Sequence, residues 1–403
     1  MVQLMLEGLG GDRRAGGKGA FGIECYHVNV RLSKKLEDIG DLRIGKFLLL
    51  LGYCLQTIWC RFRYRVTTLY YIPAPGKPSA LYRDWVVMAL CRPFFKRLVL
   101  HWHAAGLAKW LETHCQIRAR TLTYLLSKQV DLSIVLSRYN RADAEKLFSR
   151  RIKVVSNGIP DPCPDFTQEV LPRRQARFAA RKKLWSGAAL EPEELRATGG
   201  DPGVVQVLYL AHCTAEKGLF DTIAGVVAAN RLLEQRQSPV SLRLLVTGLF
   251  VRDDERREFD RWMAQPGLSE LVHYLGFVTG AQKDQIMRHA DLFCFPTYYQ
   301  NENQPVNLIE AMAFGLPILT TRWRSLPELF PPDYAGLVDI RSPEQIGRAI
   351  LTLLETESGA GFRAIFQSRF TLAQYLAGLS EALQALEKEA PTGAPAPAPA
   401  GTT

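Results

Sequence analysis

The chain has 403 residues, 47% hydrophobic and 10% aromatic, which excludes a disordered protein and points to two domains instead of one core. Its net charge of +10 is uneven: residues 1–170 carry 26 Lys+Arg and 14 Asp+Glu, a net of +12, and the remainder 24 and 26, a net of −2. Eight scattered cysteines with no C-x-x-C pair argue against a zinc or redox site and for buried thiols in a reducing compartment.

The N-terminus runs from Met1 into glycines and charges without the apolar core of a signal peptide, so a cytoplasmic location is expected. Val2–Leu6 is the one candidate for a first strand, and a glycine-rich stretch from Gly8 to Gly22 follows it. The longest apolar run, Phe47 to Cys60, contains Gly52 and Gln56 and is too short to span a bilayer. With Arg61-Phe-Arg-Tyr-Arg65 behind it, it reads as a core helix with a basic end or as a segment lying on a membrane surface.

Strands are expected at Thr68–Ile72, Arg97–Trp102, Leu132–Leu136 and Ile152–Val155. Residues 161–202 are rich in Pro, Arg, Glu and Gly, with a helix around Arg174–Leu184 and no strand. A second series begins at Val205–Ala211 and continues at Leu242–Val246, Val272–Leu275, Leu292–Phe295, Ile318–Thr321 and near Gly336–Val338. A last helix covers Leu372–Glu387, and Ala390–Thr403 is a Pro/Ala tail expected to be disordered.

Alternating strands and helices define an α/β protein of parallel units. The expected organisation is an N-terminal Rossmann-like domain over 1–165 and a linker or insertion over 166–202. A C-terminal Rossmann-like domain over 203–365 and a helical segment over 366–389 follow, the latter packing back toward the first domain. Two doubly wound domains facing across a cleft would place ligands at the C-terminal ends of the strands.

Chemistry concentrates in the segment Asp291 to Pro317. A buried strand ends at Pro296, a loop carries Glu302, Asn303 and Gln304, and a helix opens near Pro305 and Val306. Free N–H groups and the positive dipole end at that helix start favour a pyrophosphate. Glu310, about two turns in, can accept hydrogen bonds from two vicinal hydroxyls such as those of a ribose. Glu302, at the lip, can orient a sugar. Upstream, His212 and Lys217 lie on a strand–loop–helix whose lysine can reach phosphate oxygens.

These segments resemble family 4 of the retaining glycosyltransferases, which have the GT-B fold. The likeness covers roughly residues 200–350 well and 95–160 more loosely. ENQPVNLIEAMAFGLPI matches that family's two glutamates with seven residues between them, and EKG at 216–218 its phosphate-binding lysine. VHYLGFV at 272–278, with Phe277, is similar to its strand and loop near the nucleotide base. VVSNGI at 154–159 resembles its end-of-domain strand and turn. The resemblance implies that Lys217 binds the pyrophosphate, Glu310 the ribose, and the Glu302 loop the sugar and phosphates. Gly248, Asn303, Gln304, Pro305 and Val306 would line the same donor site. His212 stands where the family has an arginine; protonated it would bind phosphate, neutral it would donate one hydrogen bond. His103, after the strand Arg97–Trp102, would face the sugar, with the Gly22 loop on the acceptor side. Glu302, His103 and Lys217 are thus the expected catalytic residues.

The implied reaction moves a hexose from a nucleoside-diphosphate sugar to a saccharide or lipid-linked acceptor during surface-polysaccharide assembly, with retention. No D-x-D motif is present, so neither a metal nor a cofactor is expected. The basic first half is read as the side that meets an anionic acceptor or the inner face of a membrane; no nucleic-acid recognition motif accompanies it. Rival readings are a sugar-nucleotide epimerase of the same architecture and a binding protein that has lost catalysis. A metal cluster of His101, His103, His114 and Cys115 is disfavoured, because residues leaving one strand would have to meet the next helix. The bland readings are a surface helix charge for Glu310, an N-terminal helix charge for Glu302, a solvated lysine for Lys217, a structural residue for His212, and a satisfied histidine near a core for His103 and His101.

Overall fold

The computed structural model describes residues 1–30, 44–73, 75–356 and 359–388. Its contacts divide the chain into a first unit, residues 1–156 together with the chain from Gln374 on, and a second unit, residues 157–373. The tail expected to be disordered, 390–403, lies outside the described residues.

Unit 1 opens with helix α1 (Val2–Gly8), not the expected strand. Leu, Met, Gln and Glu in this stretch are good helix formers, and Gln3 Nε2 donates to Glu7 Oε1 at 2.6 Å one turn on. The glycine-rich segment behind it folds on itself, Lys18 N–H donating to the Gly10 carbonyl at 2.9 Å. Helix α2 (Ile44–Arg63) covers the long apolar run. Then follow β1 (Thr68–Tyr71), α3 (Pro78–Cys91), β2 (Arg97–Trp102), α4 (Leu107–His114), α5 (Ile117–Ser127), β3 (Leu132–Val135), α6 (Arg141–Lys146) and β4 (Ile152–Val154).

The four strands form one parallel sheet in the order β1-β2-β3-β4. Leu98, Val99, Leu100, Ile134 and Val135 are buried, as expected of strands covered on both faces.

Unit 2 begins with α7 (Leu171–Trp185) and α8 (Pro192–Ala197), which occupy the stretch read as linker or insertion. They are tied into the unit. Asp291 accepts from Arg177 Nε at 2.8 Å and from Arg181 at 2.9 Å, and also from the Gln206 N–H at 2.9 Å. This buried carboxyl is held low, to about 2: desolvation opposes ionisation, and the two arginines more than offset it.

The sheet elements are β5 (Val204–Leu210), α9 (Leu219–Gln235), β6 (Ser241–Thr247), α10 (Asp253–Met263), α11 (Leu268–Leu271), β7 (Val272–Tyr274), α12 (Gly280–His289), β8 (Leu292–Phe295), α13 (Val306–Ala313), β9 (Ile318–Thr321), β10 (Leu337–Val338), α14 (Pro343–Leu354) and α15 (Gly359–Arg369). Six parallel strands run in the order β10-β9-β8-β5-β6-β7, so the chain builds outward from β5 one way and from β8 the other.

A final helix α16 (Leu372–Glu387) contributes to unit 1 from Gln374 on, where Lys153 pairs with Glu381 at 2.8 Å. All eight cysteines are free thiols.

Candidate active site

A doubly wound sheet offers its ligand crevice beyond the carboxyl ends of the strands, where strand order reverses. In unit 2 that point lies between β5 and β8, paired at Val207–Leu292 and Leu208–Phe293. The loops leaving these two strands carry Lys217 and Glu302.

Two glycines let the loops close up. Gly218, at φ +83, precedes α9, and a Cβ there would come within 2.5 Å of the Pro296 carbonyl oxygen. Gly248, at φ +145 past β6, would bring a Cβ within 1.7 Å of the Ala211 carbonyl oxygen. Its N–H donates to the Gly276 carbonyl and its own carbonyl accepts from the Tyr274 hydroxyl, both at 2.8 Å. The ends of β5, β6 and β7 are thereby drawn together.

The close approach sets the charges. Lys217 Nζ lies 2.7 Å from Glu302 Oε2, which also accepts from Thr297 Oγ1 at 3.0 Å. The Lys217 ammonium sits 4.5 Å from the Tyr299 ring centroid. Glu302 is buried, so these two donors replace the water it has lost. A second pair joins α12 to α13, Lys283 Nζ to Glu310 Oε1 at 2.6 Å.

Asn303 and Gln304 brace this loop. The Ser325 hydroxyl donates to the Asn303 carbonyl, the Asn157 N–H to Gln304 Oε1 at 2.5 Å, and Asn157 Nδ2 to the Gln304 carbonyl at 3.1 Å. Pro305 stands at the cap with ψ 130, one residue outside the helix it was expected to begin, and Val306 is the first helical residue. In the first turn Asn307 Nδ2 donates to the Leu210 carbonyl at 2.8 Å, joining α13 to the end of β5. Its Oδ1 is buried with no partner, an acceptor available at the switch point.

His212 follows β5 and its carbonyl accepts from the Tyr209 hydroxyl at 2.8 Å. Although the residue is exposed at its rim, partial desolvation of the ring, and then the Lys217 ammonium, lower its pKa below the ordinary histidine value. Of the two states considered for it, the neutral single donor is the one this surrounding favours. Phe277 lies exposed past β7.

His103 and Gly22 belong to unit 1. His103 follows β2 and its pKa is pushed down to about 4, chiefly by burial. His101 beside it is fully buried, its Nδ1 2.5 Å from the Tyr70 hydroxyl but its Nε2 without a partner, so the expected satisfied core histidine is satisfied at one nitrogen only. Gly22 occupies an open turn at φ +71. Among the described residues no group of three or more His, Cys, Asp or Glu can hold a metal ion. Lys283, Thr297 and Asn307 escaped the sequence reading. Lys283 lies in the first turn of α12 in no motif, and only the tertiary structure places it on Glu310.

Residues 192–389 match the family model of glycosyl transferases group 1. The chain is 28% identical over 150 residues to the putative colanic acid biosynthesis glycosyltransferase WcaL of Escherichia coli K12, covering 36% of this chain and 34% of the relative. It is 24% identical over 273 residues to the O-antigen chain mannosyltransferase B of Escherichia coli, covering 65% and 62%. The chain thus spans about a third of the first curated relatives it matches, 34% and 35% of their lengths. In structure it is similar to Anabaena HepE in complex with UDP, with TM-score 0.58, 17% identity and 86% and 85% of the two chains covered. The sucrose-phosphate synthase of Thermosynechococcus elongatus gives TM-score 0.60 at 17% identity, covering 86% and 80%. The fold is that of GT-B glycosyltransferases.

Proposed function

We propose that this chain is a retaining glycosyltransferase of family 4 that moves a hexose from a nucleoside-diphosphate sugar to a saccharide or lipid-linked acceptor without a metal. The observation that carries the reading is the meeting of Lys217 and Glu302 at the β5/β8 switch point, beside the first turn of α13. Support comes from HepE, whose solved complexes hold UDP, UDP with glucose, and UDP-glucose, and from relatives named for colanic acid and O-antigen synthesis.

In this reading the acceptor oxygen bonds to the anomeric carbon as the bond from that carbon to the diphosphate oxygen breaks, and the departing phosphate takes the acceptor proton. Lys217, neutral His212 and the N–H groups opening α13 stabilise the charge growing on the leaving group. Glu310 accepts from the ribose hydroxyls and Glu302 aligns the sugar. Charge stabilisation by the chain's own groups is what makes a metal on the pyrophosphate unnecessary. Contact of the basic first unit with an anionic membrane, at its inner face, belongs to the same reading.

A thermal-shift screen of UDP, GDP, ADP and their sugars tests it, since a ligand bound only by the native state raises the melting temperature. One nucleotide series stabilises the wild type, indifferently to EDTA, and fails to stabilise Lys217→Ala and Glu310→Ala. No shift with any nucleotide, or an undiminished one in both variants, would sink the donor site. The anomeric configuration of the product, read by NMR, tests retention.

A further inference from the structure

The outer side of α2 is apolar and open. Leu48, Leu55, Trp59 and Phe62 recur at helical spacing and are between 52% and 67% exposed, while Leu50, Cys54 and Cys60 hold the opposite side in the core. The strip continues beyond the helix. Phe62 meets Phe94 edge to face at 5.8 Å, Phe94 is itself exposed, and Arg61 Nε donates to the Phe94 carbonyl at 2.7 Å. Next to Phe94 the surface dips into a pocket of about 420 Å3 whose lining includes Met88, Arg92, Pro93, Lys96, Leu125 and Lys128.

Charge selects the occupant. From residue 44 to residue 77 the sequence holds Lys46, Arg61, Arg63, Arg65 and Lys77 and no acidic residue. A second copy meeting this face about a two-fold axis would bring like charges together. An anionic bilayer suits both features: apolar side chains enter the headgroup–acyl boundary while arginine and lysine reach the phosphates. Trp59 has the amphipathic ring that settles at that depth. No helix among the described residues is long and apolar enough to cross a membrane, so α2 would lie along the surface.

We propose that unit 1 docks on an anionic phospholipid surface through the Leu48–Leu55–Trp59–Phe62 face of α2, with a lipid phosphate received by Lys96 and Lys128. The inference rests on the membrane part of the proposed function and names its surface and lipid class. It is tested without nucleotide, so its failure leaves the donor site standing, and failure of donor binding leaves it standing.

The full chain is sedimented with vesicles of phosphatidylcholine alone or mixed with phosphatidylglycerol. The wild type is expected to bind the mixed vesicles and not the neutral ones, and less as salt rises. The double variant Leu55→Glu/Phe62→Glu falls to background with its circular-dichroism melt unchanged, because both side chains face solvent. Trp59→Phe retains binding. Lys96→Ala/Lys128→Ala weakens it by about fivefold per charge removed. Equal binding to both vesicles, binding to neither, full binding by the double glutamate variant, or a dimer in light scattering that this variant dissociates would each overturn the proposal.

Discussion

Lys217 and Glu302, 85 positions apart in sequence, stand 2.7 Å apart where the loops after β5 and β8 meet. The pair leaves the site electrically quiet, since the lysine assigned to phosphate is already held by a carboxylate. A diphosphate entering there must share the lysine or draw it from Glu302. Removing the lysine alone leaves Glu302 buried beside only Thr297.

Lys217→Met should therefore lower the melting temperature as well as activity, with kcat/KM down by about a hundredfold to a thousandfold. The double variant Lys217→Met/Glu302→Gln should recover the melting temperature and not the activity. Differential scanning fluorimetry beside donor-turnover kinetics checks both. Restored turnover in the double variant would remove Lys217 from the transition state.

Glu310 is assigned to binding and not to bond breaking. Glu310→Gln should raise the donor KM by about tenfold to a hundredfold, the range for charge-assisted hydrogen bonds, and leave kcat nearly unchanged. Lys283→Met leaves the carboxylate without its 2.6 Å partner and should raise KM in the same direction by less. A fall in kcat with constant KM would contradict the assignment.

Acid should weaken unit 1 through its histidines. The His103 pKa drops from 6.5 to about 4 on folding. Above pH 6.5 neither the folded nor the unfolded ring carries the proton. As pH falls toward 4 the unfolded state takes up a proton that the folded state refuses, so stability declines across that window. Fully buried His101, also lowered by burial and by His103, adds to the same trend. The melting temperature of His103→Asn should fall less steeply between pH 6.5 and 4 than that of the wild type.

Gly218→Ala should cost roughly 1–2 kcal/mol for the left-handed backbone alone. The 2.5 Å approach to the Pro296 carbonyl adds to this and shifts Lys217 from Glu302, so donor affinity falls too. Gly22→Ala, with nothing near its Cβ, should cost no more than the backbone contribution. Urea titrations of the two variants compare them; equal losses would mean that loop approach around Gly218 contributes nothing.

Asp291→Ala strands Arg177 and Arg181 in the interior of unit 2 and should cost about 3–5 kcal/mol, the range for breaking a buried ion pair. A loss below 1 kcal/mol, about the worth of an exposed pair, would mean that water reaches the arginines.

Strands β2 and β8 and helix α16 lie within the bounds their sequence suggests, because buried parallel strands are unbroken apolar runs and a long amphipathic helix repeats its pattern over several turns. Val2–Leu6 failed the same reasoning: a short apolar run suits strand and helix alike, and α1 is a helix in which Leu6 turns inward. For α2 the pattern supplied a helix but not its open side, since every face of that helix is apolar and only the neighbours it lacks reveal which one is uncovered.

The same division runs through the site. Pro305 and the seven residues between Glu302 and Glu310 were legible, because they obey rules acting over a few residues: a proline beside a helix start, one carboxylate in the loop before it and the other just over one turn into α13. That Asn303 and Gln304 brace the loop, and that Lys283 holds Glu310, was not, because those partners come from Ser325, Asn157 and α12. The sequence alone determined the ends of β2 and β8 and the span of α16, which depend on near neighbours. Which lysine meets which glutamate was decided by the strand order β10-β9-β8-β5-β6-β7, because only a sheet that reverses at β5 and β8 brings the ends of strands remote in sequence to one edge.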